Sequence, residues 1–155
     1  MELTIPTVLK TLSASGSAAT SISDWWSKSK GDNRALIGEL KDNLIYLDMV
    51  ANDGIPLATV VDNLSLTEFQ RLSKSGYNFN KLKKGKIPRY KSLDGTDLSH
   101  WGGKETEQLI FSIYEKINEI KIKHPLVKDN SNYRWGIRVN NVRKRVWLLL
   151  KHVNS

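Results

Sequence analysis

The sequence predicts an all-α fold, a single helical bundle of about five to seven helices whose two long C-terminal helices pack antiparallel. Three observations predict it. Apolar residues recur at steps of three and four through most of the chain, the spacing of one helix face. No alternating apolar and polar run of normal strand length competes with them. The 155 residues suit one domain and suffice to bury a core, and 39% of them are hydrophobic, which excludes a wholly disordered chain.

In chain order, the first stripe is Val8, Leu12, Ala19, Ile22 and Trp26, separated by small Ser, Thr, Gly and Ala residues that permit close helix approach. Asp32 and Asn33 offer a cap for a second helix carrying Leu36, Leu40, Leu44, Leu47 and Ala51, which Asn52, Asp53 and Gly54 end. Pro56 suits the first turn of a short helix through Val60, Val61 and Leu64. Ser65 with Glu68 three residues on is a capping-box pattern for the next, which ends near Gly76. A further turn or two follows over residues 77–84, and the basic, Gly/Pro-containing stretch at about 81–103 reads as a loop. A long helix then spans residues 104–124, with Leu109, Ile113, Ile117 and Ile120 on one face, Glu105 and Glu107 near its positive end, and Pro125 as its stop. The last helix starts near Arg134 or Trp135 and buries Trp135, Val139, Val142, Val146, Leu149, Leu150 and Val153.

Composition removes several function classes. The absence of cysteine excludes a disulfide framework, a thiol nucleophile and Cys-ligated zinc or iron–sulfur sites. No apolar run approaches the roughly 18 residues of a membrane helix, and the N-terminal stretch lacks a basic segment followed by an apolar core, so the expected location is the cytoplasm. The net charge is +8, and it is uneven. Residues 1–60 carry five basic and seven acidic residues, residues 61–100 eight and four, and residues 101–155 eleven and five. A field of that sign attracts nucleic acid, nucleotides or an acidic protein.

At about 100° per residue, Arg134, Arg138, Asn141, Arg145 and His152 fall within about 40° of a common direction beside the apolar arc of the last helix. Guanidinium forks in line match phosphates or carboxylates bidentately. The same stripe borders the core, where Asp42, Asp48, Glu115 or Glu119 of neighbouring helices could neutralise it instead.

Arg145 and His152, with six residues between them on one helix, resemble the catalytic motif of HEPN ribonucleases. That resemblance implies a homodimer and metal-independent RNA cleavage through the 2′-hydroxyl, with His152 in acid–base work and Arg145 stabilising the phosphorane. Val146 follows Arg145 where that family usually has a polar residue.

The segment KLKKGKIPRYK, residues 81–91, supplies Lys81, Lys83, Lys84, Lys86, Arg89 and Lys91 beside Tyr77, Phe79 and Tyr90, a composition suited to phosphate contact and base stacking. Gly102, Gly103 and Lys104 open a helix but form no Walker A loop, because Leu98 and Glu105 stand where it needs Gly and Ser or Thr. Asp94, Asp97 and His100 recur at three-residue steps, yet no fourth ligand lies nearby and a turn explains them as well. Of the five tryptophans, Trp147 lies about 60° outside the apolar arc of its helix, at an interaction surface or against another helix.

These observations lead to a binding module rather than an enzyme, without cofactor or metal. It engages an anionic partner through Arg134, Arg138, Asn141 and Arg145, assisted by Lys81, Lys83, Lys84, Lys86 and Arg89. The alternatives are the dimeric ribonuclease acting through Arg145 and His152, and a protein–protein adaptor in which the stripe is a salt-bridge network.

Overall fold

Helices supply all the regular structure among the described residues, 17–155, of the computed structural model. They are α1 (Ser17–Lys28), α2 (Gly31–Asn52), α3 (Leu57–Val60), α4 (Thr67–Lys74), α5 (Thr106–Val127) and α6 (Trp135–Val153). Short 3-10 turns at Val61–Asn63, Phe79–Leu82, Lys91–Leu93, Ser99–Trp101 and Ser131–Tyr133 join them. No strand occurs among these residues, and none of their helices is long and apolar enough to cross a membrane. Val8 and Leu12 lie outside the described residues.

The two long C-terminal helices pack antiparallel, since Thr106 at the start of α5 meets His152 at the end of α6 and Glu119 further along α5 meets Arg138 near the start of α6. Helix α6 touches α1, α2 and α5, which makes it the centre of the bundle. Its enclosure decides which side chains are covered. From Val142 to Leu150 every residue except the half-buried Trp147 is buried, including Arg143, Lys144 and Arg145. Consecutive helical residues diverge by about 100°, so these three cations leave α6 towards different neighbours. Arg143 Nε donates to Asp48 of α2 at 2.7 Å, Lys144 pairs with Asp97 of the loop before α5, and Arg145 Nη1 donates to the Asn141 carbonyl at 2.8 Å.

The apolar faces of α2 and α5 are buried as their spacing predicts, through Leu36, Leu40, Leu44 and Leu47 and through Leu109, Ile113, Ile117 and Ile120. Ala51 is exposed, and so is Ala19, whose place in the α1 stripe Ala18 takes. Trp135 and Val153, at the ends of α6, are half-buried.

Several boundaries correct the sequence reading. Helix α2 begins at Gly31 with Lys30 preceding it, so Asp32 and Asn33 lie in its first turn instead of capping it; Asp32 pairs with Arg71 at 3.1 Å and Asn33 accepts the Tyr77 hydroxyl. Ser65 and Glu68 form no capping box. The buried Glu39 of α2 caps α4 from outside, accepting the N–H groups of Glu68 at 2.8 Å and Phe69 at 3.1 Å and the Ser65 hydroxyl at 2.7 Å. Pro125 does not stop α5, which runs on to Val127. A proline this close to a helix end removes one hydrogen bond only, and the preceding His124 is buried edge-on against Trp135, which holds the last turn in place.

The loop before α5 is tied to that helix. Ile87 N–H donates to the Lys104 carbonyl at 2.9 Å and Gly103 N–H donates to the Ile87 carbonyl at 2.8 Å. Gly102 lets the two segments approach closely, because a Cβ would stand 3.1 Å from both Cα and Cβ of Arg89 and push the loop outward.

Candidate functional site

The stripe read from α6 divides on folding. Arg134, in the left-handed region at φ 44°, is exposed at the start of the helix. Arg138 is half-buried: its Nε donates to the Tyr133 carbonyl at 2.9 Å, Glu119 lies 3.9 Å away, and its guanidinium stands 5.0 Å from the Tyr133 ring centre. Asn141 is half-buried and Arg145 is 8% exposed. Of the acids named as partners from sequence, Glu119 meets Arg138, Asp48 meets Arg143 and Asp42 pairs with Lys41 at 3.3 Å.

His152 is 1% exposed and sits against Thr106, with Nε2 to Oγ1 2.8 Å. The Thr106 hydroxyl donates to the Lys83 carbonyl at 3.0 Å. It therefore accepts from the imidazole, which puts the His152 proton on Nε2 and leaves Nδ1 buried without a partner. Burial, and then Lys83, hold the His152 pKa below its ordinary value. No hydrogen bond joins Arg145 and His152, which are two helical turns apart.

The loop cations face outward. Lys81, Lys84, Lys86 and Lys91 are exposed, and their ammonium groups have no ion-pair or hydrogen-bond partner among the described residues. The side chain of Arg89 is 75% exposed and reaches Asp94 at 3.4 Å. Lys83 donates to the Ser155 carbonyl at 3.0 Å, tying the loop to the end of α6. Residues 83–91 thus meet the start of α5 and the last turns of α6 at one end of the bundle.

Two cations and two aromatics that the sequence reading left out of the site join them. Lys104 Nζ lies 5.0 Å from the Trp101 ring centre, and Lys151 Nζ lies 4.9 Å from that of Tyr90 and 5.6 Å from that of Trp147. A signal for the second group was present: Lys151 follows Trp147 by four residues, so both share the side of α6 outside its apolar arc. Burial raises the Tyr90 pKa, against the opposing pull of a hydrogen bond with Ser155.

The other features singled out in the sequence are committed elsewhere. Glu105 caps α5 in a reciprocal box with Gln108, and Glu107 N–H donates to Asn80 Oδ1 at 2.9 Å, so side chains already take the donors that Gly102 and Gly103 lead into. Asp94 and Asp97 face Arg89 and Lys144, and no group of three or more His, Asp or Glu among the described residues is placed to hold a metal. Compared with protein families, with curated proteins and with solved structures, the chain matches none.

Proposed function

We propose that the chain is a non-enzymatic binding module for single-stranded nucleic acid, which it engages at the basic and aromatic end of the bundle. The observation that carries this reading is that Lys104 Nζ lies over the Trp101 ring and Lys151 Nζ over those of Tyr90 and Trp147, at the end of the bundle where the loop also exposes Lys84, Lys86 and Lys91. Single strands are held by this combination, since phosphates follow the cations while bases stack on rings. A base arriving at Tyr90 would take the place of the Lys151 ammonium, which then has a phosphate within reach. Backbone hydrogen bonds hold the loop, so little of its conformational freedom is lost on binding.

The contribution of α6 is correspondingly smaller. Arg138 is engaged by Tyr133 and Glu119, Arg145 is covered, and Arg134 alone of that stripe is exposed. Cleavage through Arg145 and His152 has less support, because general acid–base work needs an imidazole within reach of substrate, and that of His152 is enclosed and bonded to Thr106.

The test compares a single-stranded RNA with a base-free polyphosphate of equal charge. Tyr90→Ala and Lys151→Ala should weaken the RNA at least about tenfold, the value of one stacked base. Polyphosphate should respond to Lys151→Ala alone. Equal affinity for the two ligands, with no effect of Tyr90→Ala on either, would replace this reading by unspecific anion binding, and tighter binding of an acidic peptide would favour the adaptor.

A further inference from the structure

Away from that end, the middle of the α5–α6 seam holds a charge imbalance that the fold does not resolve. The two cross-helix contacts, Thr106 with His152 and Glu119 with Arg138, set the register. Midway between them Arg145 lies opposite Ser112 and Ile113, and Lys116 follows Ser112 by one turn on the face that also carries Glu119. Lys144, the residue before Arg145 on α6, holds Asp97 of the loop, whose charge acts on Arg145 as well.

Arg145 is more than nine-tenths buried, yet only Nη1 is hydrogen-bonded, to a carbonyl of its own helix. Its Nε is buried with no acceptor, and Nη2 has none among the described residues. Lys116, half-buried, has no ion pair among those residues. Lys144 is 2% exposed and holds Asp97, the single carboxylate in contact with the cluster. Glu119 is divided between Arg138 and Lys123, each at 3.9 Å. Asp97 is thus the one carboxylate in ion-pair contact with these three cations among the described residues. Burial, then the charge of Arg145 and, more weakly, that of Lys144 lower the Lys116 pKa, against the opposing pull of Glu119 and Glu115; burial lowers that of Arg145.

A buried guanidinium is normally paired and its N–H groups satisfied, since leaving it otherwise costs the desolvation of a charge. Arg145 departs from that rule in a field made more positive by Lys116 and Lys144, which suits the place to an anion. We infer that Arg145, Lys116 and Lys144 form a binding site for a phosphate group, inorganic or the terminal phosphate of a monoester. The Nε and Nη2 edge of Arg145 presents two parallel donors, the geometry that pairs with two oxygens of a tetrahedral oxyanion. Lys116 supplies a mobile ammonium from the opposite helix. Asp97, neutralised by Lys144, leaves the site a net positive charge. This inference does not depend on the nucleic-acid reading.

Thermal unfolding tests it with inorganic phosphate titrated against chloride at constant ionic strength. Occupancy of a site present only in the folded state should raise Tm with the logarithm of phosphate concentration once above the dissociation constant, by about 4 °C at twenty times that constant. Lys116→Gln, at a half-exposed position where folding is not at stake, should reduce that rise at least by half, and Arg145→Gln should abolish it if that variant folds. Lys84→Gln with Lys86→Gln should leave it intact, which separates this site from the loop surface. A nucleoside monophosphate in a parallel titration distinguishes the two sources: a larger rise than with inorganic phosphate identifies the monoester. No rise with either ligand, or an equal rise in the protein and in Lys116→Gln, would overturn the inference.

Discussion

Glu39 of α2 holds the first turn of α4 through the backbone N–H of Glu68, at 2.8 Å, so one helix caps the next with a buried carboxylate. The same carboxylate accepts from Phe69 and Ser65, and Asn43 one turn further along α2 clasps both the N–H and the carbonyl of Ser65 at 2.8 Å. Glu39→Ala leaves three donors without an acceptor and removes a negative charge from a positive helix end. Denaturant unfolding should show a loss of about 2 to 4 kcal/mol, and Glu39→Gln, which keeps one acceptor, should lose less.

Stability should fall in acid through His152 and His124. Burial depresses both pKa values below the ordinary histidine value, so between the folded and unfolded pKa the unfolded chain binds more protons. Their contribution is complete above about pH 6.5, the unfolded value, and is lost as the pH falls from there towards the depressed folded values. The urea midpoint should therefore drop between pH 7.5 and pH 5, and His152→Gln should flatten the drop. A midpoint that rises over the same interval would show that His152 gains a partner on protonation.

Ile113 and Val142 are fully buried at the facing stripes of α5 and α6. Ile113→Ala should cost about 2 to 4 kcal/mol in urea unfolding, and Val142→Ala less, because it deletes fewer methyl groups.

Much of the fold was legible because its apolar stripes follow helical spacing closely. Leu109, Ile113, Ile117 and Ile120 mark the buried face of α5, and Leu36, Leu40, Leu44 and Leu47 that of α2. Boundaries set by distant residues were not legible: the cap of α4 comes from Glu39, 29 positions before Glu68. The candidate site was legible in composition and illegible in arrangement. A run such as Arg143, Lys144, Arg145 has the pattern of a solvated face, and only the enclosure of α6 by α1, α2 and α5 turns it inward. Lys104 and Lys151 join the loop cations because the loop, the start of α5 and the end of α6 meet there, which no local pattern encodes.

Arg138 is a structural cation on this account. Arg138→Ala loses a hydrogen bond to the Tyr133 carbonyl, a loose contact with Glu119 and packing on two aromatic rings, and it should lower stability by about 1 kcal/mol with little change in nucleic-acid affinity. Thermal unfolding and an RNA titration on the same sample check both halves.

The most direct measurement is the fluorescence anisotropy of a labelled single-stranded RNA of about a dozen nucleotides, titrated with the protein over a series of salt concentrations. Binding should weaken with salt at a log–log slope of about −3, as for four to five neutralised phosphates on a single strand. The triple variant Lys84→Glu, Lys86→Glu, Lys91→Glu should bind at least about a hundredfold more weakly at low salt while keeping its Tm, because three phosphate contacts become repulsions. No binding by the folded protein at about 50 mM salt, or undiminished binding by the triple variant, would contradict the assignment of this end of the bundle to nucleic acid.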